Sequence, residues 1–93
     1  LYVNEIAPRV HNSGHLTINA FNISQFENHI RAVCSLEQIP LKKLHNAEMI
    51  NLIGNQITPY RQNRNLNDNE FFFDYQKKEI KEKRKMGHLT KIL

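Results

Sequence analysis

The sequence predicts an α+β fold. Three observations carry it: an apolar opening of Leu1, Tyr2, Val3 and Ile6 that runs out at Pro8; a run in which Phe26, Ile30, Val33 and Cys34 recur at helical spacing; and three later stretches, residues 47–53, 71–75 and 88–93, with the composition of strands. At 93 residues with a hydrophobic share of 40% there is enough for one small core. A chain of this size buries only roughly 60–65% of the surface its unfolded form exposes, so modest stability is expected.

The opening strand and its exit loop hold the densest set of chemically able side chains. Side chains two apart on a strand share a face, so Glu5, Ala7 and Arg9 project together, a carboxylate and a guanidinium flanking a methyl-sized gap. Pro8 cannot donate to a ladder and drives Ala7 toward extended geometry, which makes this the strand's exit. Beyond it, His11, Asn12, Ser13 and His15 surround the turn-prone Gly14. The bland reading of the same residues is a strand ending in a polar turn, with Glu5 and Arg9 as a solvated ion pair worth under ~1 kcal/mol.

Residues 15–23 alternate Leu16, Ile18 and Ala20 with Thr17, Asn19 and Phe21, a loose period of two that predicts an extended segment. Ser24 with Glu27 three residues on reads as a capping box opening a helix, and the stripe of Phe26, Ile30, Val33 and Cys34 is expected to face the core. His29 and Arg31 lie off that stripe and read as solvated positions. Residues 36–46, with Pro40 and the pair Lys42-Lys43, read as a loop.

In the strand at 47–53, Met49 and Ile53 oppose Ile50 and Leu52, which predicts cover on both faces and a need for partners at Asn51. Gly54 closes it. Residues 55–70, rich in Asn, Gln and Arg and holding Pro59, read as the exposed, insertion-tolerant part. Phe71-Phe72-Phe73 shows no alternation, so burial on both sides is expected there. The charge-dense run 77–85 reads as a solvated loop or helix face, or else as an anion site, and 88–93 is the closing strand.

Charge and cysteine narrow the functional classes. A formal net charge of +4 favours an anionic partner: phosphate, nucleic acid or an acidic surface. The single cysteine, Cys34, cannot form an internal disulfide, and no Cys/His spacing suits a zinc finger, which fits a reducing compartment. No secretory h-region and no run of about 18 apolar residues is present, so a cytoplasmic protein with no membrane segment is expected.

The stretch Asn-Glu-Ile-Ala-Pro-Arg-Val-His-Asn-Ser-Gly-His, residues 4–15, resembles the signature of the 5-(carboxyamino)imidazole ribonucleotide synthases, ATP-grasp enzymes of purine biosynthesis. The likeness continues in the family's order through Ser24-Gln25-Phe26-Glu27-Asn28-His29-Ile30-Arg31-Ala32-Val33, Met49-Ile50-Asn51-Leu52-Ile53-Gly54, Tyr75-Gln76-Lys77 and Arg84-Lys85-Met86-Gly87-His88. It covers only the family's C-terminal part, and the chain opens on Leu1 rather than Met, so a fragment of a larger enzyme is expected. The resemblance implies the last strand of an ATP-grasp lobe plus one helix and a small antiparallel β subdomain. The lobe's end would occupy residues 1–35 and the β subdomain, with a basic substrate-phosphate loop, residues 36–93.

The resemblance also implies roles. Glu5 would hold magnesium against the ATP phosphates with Asn4 beside it at the nucleotide, one carboxylate being sensible for an ion that takes most of its shell from phosphate and water. Arg9 and His11 would be catalytic, Arg9 as a clamp on developing phosphoryl and carboxyl charge, His11 as a donor or a proton acceptor. Lys77, Arg84 and Lys85 would bind the ribonucleotide 5′-phosphate, with Lys78 the rival of Lys77. His15 would be structural. ATP and Mg2+ follow as cofactors, 5-aminoimidazole ribonucleotide and bicarbonate as substrates, and a homodimer as the intact state. Departures fall on the basic loop: Gln76 where Gly is common, Phe73 where His is common, and Lys81-Glu82-Lys83 in place of an Arg-Pro-Gly-like turn. Related biotin-dependent carboxylases read Glu-x-Asn-Pro-Arg, and Ala7 stands at that Asn. The alternative from another class is a small basic nucleic-acid-binding module, supported by charge alone.

Overall fold

The computed structural model describes Val3, Ile6, Ala7 and residues 9–63 and 65–93. Of the expected opening strand, Leu1, Tyr2, Asn4, Glu5 and Pro8 fall outside the described residues, and the described Val3 and Ile6 are exposed and belong to no strand. The chain divides into two units, Leu1–Leu44 and His45–Leu93.

In the first unit a 3-10 turn, Asn12–Gly14, leads into a short helix α1, Thr17–Ala20, and then α2, Gln25–Val33. The extended segment expected at 15–23 is therefore helical at its centre. Leu16 and Ala20 stand one helical turn apart, and the helix carries Ala20 into the interior, 0% exposed, while Ile23, 3% exposed, follows the extended Phe21 that ends it. The later loop then runs back along 20–22: Asn22 N donates to Lys42 O (3.0 Å), Lys42 N to Asn22 Oδ1 (2.8 Å) and Leu44 N to Ala20 O (2.8 Å).

Ser24 caps α2, its hydroxyl accepting from Glu27 N at 3.2 Å. The expected reciprocal half of the box is replaced by an i,i+4 pair, since the Glu27 carboxylate takes Arg31 Nε at 2.9 Å. The helix ends on Ser35 in the left-handed region, φ 55°, with Leu36 N on Arg31 O (2.8 Å) and Ser35 N on Ala32 O (3.3 Å). That is a Schellman closure. The stripe expected to be core is open: Phe26, Ile30 and Val33 are 40, 56 and 67% exposed, and Cys34 is exposed too. Its helical period is as expected, but among the described residues the only ring stacked on the stripe is that of His15, against Phe26.

The second unit is a three-stranded antiparallel sheet in the order β1-β3-β2, from β1 Ala47–Ile53, β2 Glu70–Asp74 and β3 Lys85–Ile92. Ile50, Leu89 and Phe72 lie in one row across it. Burial on both faces was expected of β1 and β2, and the topology reverses this. Both are edge strands, with Ile50, Phe71 and Phe73 each more than 40% exposed, while central β3 is buried without a break from Met86 to Thr90. Asn51 Oδ1, which needed a partner if enclosed, is buried without one among the described residues.

The stretch read as an exposed loop starts as structure: a 3-10 turn, Gly54–Ile57, runs into α3, Thr58–Gln62. Pro59 lies in the first turn of α3, where its missing N–H costs nothing. Ile57 is fully buried with Leu52 and Met86, and Tyr60, stacked on Phe72 at 5.5 Å, packs against them. Gly54 makes this corner possible. Its φ is +58°, its N–H donates to Arg84 O at 2.8 Å, and an added Cβ would lie 2.7 Å from Glu82 O.

Candidate functional site

The expected site residues fall into two groups, one in each unit. In the first, Arg9 is exposed and closes a tight backbone turn, its N–H on Ala7 O at 2.9 Å. Its side chain lines a cleft of about 370 Å³ with Gln25, Asn28, His29 and Gln38. His29, exposed as expected, also lines the cleft that Arg9 opens onto. His11 leads into the 3-10 turn with an extended backbone, φ −124° and ψ 149°. Gln25 grips it: His11 N donates to Oε1 at 3.0 Å, and Nε2 donates back to His11 O at 2.7 Å. The same Nε2 meets His15 Nδ1 at 2.8 Å, and the His15 ring stacks on Phe26 with centroids 5.3 Å apart. Sequence reasoning passed over Gln25, whose only signal was its place directly after the cap Ser24 in the stretch shared with the family.

In the second unit Lys77 and Arg84 lie in the β2–β3 hairpin loop and Lys85 is the first residue of β3. Lys77 is half-buried and turns its ammonium back across the loop to Lys85 O at 2.7 Å, lying 5.6 Å over the Tyr75 ring. Arg84 reaches Glu79 O at 3.3 Å and its N–H takes Lys81 O at 3.0 Å, while Lys78 is exposed. So the run is a closed loop rather than a helix face. Two anchors hold its ends. Tyr75 Oη bonds Nδ1 of the buried His88 at 2.9 Å, with Phe73 stacked flat on that ring at 5.4 Å. Arg61 forks onto Asp74 at 2.8 and 2.9 Å and also donates to Lys77 O at 3.1 Å. The hydrogen bond to Asp74, aided by its charge, raises the Arg61 pKa above the ordinary arginine value, so the fork stays charged at any working pH. Gln76, at the position where the family commonly has Gly, adopts φ 60° and is steadied by its N–H on Asp74 Oδ1 at 2.7 Å.

Asn4 and Glu5 lie outside the described residues, and among the described ones no three His, Cys, Asp or Glu side chains converge as a metal cage. Among them, too, no helix is long and apolar enough to cross a membrane.

Comparison with known proteins decides the family. Residues 47–93, the unit that carries the basic hairpin, match the phosphoribosylaminoimidazole carboxylase C-terminal domain, and residues 1–26 match the ATP-grasp domain. The chain belongs to the phosphoribosylaminoimidazole carboxylase C-terminal domain family. Among curated relatives, the N5-carboxyaminoimidazole ribonucleotide synthase of Bacillus subtilis is 46% identical over 90 residues, covering 97% of this chain and 24% of the relative. Among solved structures, the N5-carboxyaminoimidazole synthetase of Staphylococcus aureus superposes with a TM-score of 0.88 at 42% identity, covering 99% of this chain and 25% of that one. The Aspergillus clavatus synthase in complex with ADP and 5-aminoimidazole ribonucleotide gives 0.78 at 34%, covering 91% and 24%. The chain therefore spans about a quarter of the length of the relatives it matches.

Proposed function

We propose that these residues form the C-terminal quarter of an ATP-dependent N5-carboxyaminoimidazole ribonucleotide synthase. It converts 5-aminoimidazole ribonucleotide, bicarbonate and ATP to the carboxyamino product, ADP and phosphate. The observation that carries this is the order of the matches: the ATP-grasp match at 1–26 and the carboxylase match at 47–93 sit in one chain. The family match gives the nucleic-acid-binding alternative no support. A bicarbonate oxygen attacks the γ-phosphorus and ADP leaves; the carboxyphosphate releases carbon dioxide and phosphate; the substrate amine then takes the carbon dioxide and loses a proton.

Arg9, exposed on its cleft, is the fork for the developing charge, and His11 is the donor to the intermediate or the acceptor of the amine proton. Lys77, Arg84 and Lys85 hold the 5′-phosphate: a hairpin that gathers several cations on a fixed backbone suits a dianion. Asn4 and Glu5 belong to ATP, with Glu5 the magnesium ligand. An ion of this kind usually takes one or two carboxylates and fills its shell from phosphate and water, so a single carboxylate from these residues suits it. The functional division puts the lobe's end at 1–35 and the substrate-phosphate subdomain at 36–93. The whole enzyme works in the cytoplasm as a homodimer, and the 93 residues alone are inactive.

The test is steady-state kinetics of the full-length enzyme with ATP saturating and the ribonucleotide varied. Arg9→Lys lowers kcat by about 10²- to 10³-fold, because an ammonium cannot reproduce a fork at the reacting charge. Lys77→Ala chiefly raises the KM for the ribonucleotide, and Glu5→Gln lowers bicarbonate-dependent ATP turnover. A KM that moves with Lys78→Ala and not with Lys77→Ala shifts the phosphate assignment by one residue. A KM that moves with neither makes the hairpin a solvated loop.

A further inference from the structure

We propose that Gln25 is the residue that positions His11 for the reaction, an inference that rests on the functional reading above. A carboxamide is a rigid plane with an acceptor and a donor side by side, the same pair a peptide unit offers. Gln25 presents it edge-on to His11 and satisfies both the N–H and the C=O of that residue, at 3.0 and 2.7 Å, as a neighbouring strand would. This fixes which way round the amide lies, since a flip would set N–H against N–H and oxygen against oxygen.

With the amide so oriented, its second N–H points at His15 Nδ1, 2.8 Å away, which must therefore be an acceptor. His15 accordingly carries its ring proton on Nε2. The base of Gln25 is tied into the same turn: its own N–H donates to Thr17 Oγ1 at 2.9 Å, and that hydroxyl donates to Gly14 O at 2.6 Å. Root and tip of one side chain thus clasp the 11–17 segment.

Apolar packing does not do this work, because the 3-10 turn after His11 has no buried residue. Gly14 is what lets the amide pass. A Cβ there would lie 2.5 Å from Gln25 Oε1 and 2.8 Å from Cδ, and the nearest atoms it would meet all belong to the end of that flexible side chain. Gly14→Ala should therefore push the amide off His11 while leaving the backbone where it is.

The experiment uses the full-length enzyme and two variants, Gln25→Glu and Gly14→Ala. The first is isosteric: it keeps an acceptor for His11 N but sets oxygen against His11 O and His15 Nδ1. Both variants are expected to lower kcat by about 10²-fold, the usual effect of a misplacement near 1 Å, with the KM for ATP unchanged. The double variant should fall no further than either single one, as two routes to one broken contact. Hydrogen exchange of the His11 amide should quicken in both, and ring-nitrogen NMR should show His15 protonated on Nε2 in the unmodified enzyme. The proposal is overturned if His11 exchange is unchanged, if it quickens while kcat holds, or if kcat and both KM values shift together with a lower melting temperature. No ribonucleotide-dependent turnover in the unmodified enzyme overturns the functional reading and the catalytic purpose of the clamp with it. Exchange and tautomer still decide whether the clamp exists.

Discussion

Gln76 occupies a backbone conformation that L-residues avoid, φ 60°, at the start of the loop that holds Lys77 and Arg84 and leads into Lys85. Asp74 offsets part of the cost by accepting the Gln76 N–H while its carboxylate also receives the Arg61 fork. Left-handed geometry costs such a residue roughly 1–2 kcal/mol, and a glycine there would give back roughly 0.5–1 as lost freedom of the unfolded chain. Gln76→Gly is therefore expected to stabilise the hairpin by about 0.5–1 kcal/mol. Native-state hydrogen exchange of the flanking β2 and β3 amides checks it, slower exchange being the expected result. The residue that departs from the family's usual glycine is thus tolerated through a local anchor, Asp74, and the loop keeps its closed form.

Helix α2 shows how much of an element depends on its ends. Its apolar stripe is exposed over Phe26, Ile30 and Val33, so packing within the unit contributes little, and the cap, the Glu27–Arg31 pair and the Schellman closure carry more of the burden. Ser24→Ala removes the cap and is expected to cost about 1 kcal/mol, seen as faster exchange of the Gln25, Phe26 and Glu27 amides. Since Gln25 opens this helix, that fraying should also loosen its hold on His11. The helix and its start were legible in the sequence because capping and period are local signals, and so were the bounds of β1. The short helices were not. Over α1 the period of two read along residues 16–23 hid the i, i+4 pair Leu16 and Ala20, and at the turn into α3 the polar composition around Pro59 hid the apolar pair Ile57 and Tyr60. Of the site, the cations could be read from charge and resemblance. The clasp of Gln25 on His11 could not, because it joins residues 14 apart through a side chain.

At the scale of the whole molecule, the sheet face that carries Phe71 and Phe73 and the stripe on α2 leave large apolar side chains open in a chain about a quarter as long as its relatives. The sequence marked these residues as interior, and only topology could show that Phe71 and Phe73 lie on an edge strand while the last strand takes the centre. That order, β1-β3-β2, has a consequence for biosynthesis. Neither β1 nor β2 pairs with the other; each has its strand partner in β3, the last of the three to be translated. Until residues 85–92 leave the ribosome, both edge strands, with the phenylalanines of β2, wait unpaired, exposed to other nascent chains. A ribosome stalled after Arg84 should therefore hold a chain whose β1 and β2 amides exchange as freely as coil. Release of a few more residues should convert both strands together, in one step, with no intermediate in which only one has formed. Protection appearing in β1 before β3 has emerged would show that the sheet has another way to begin.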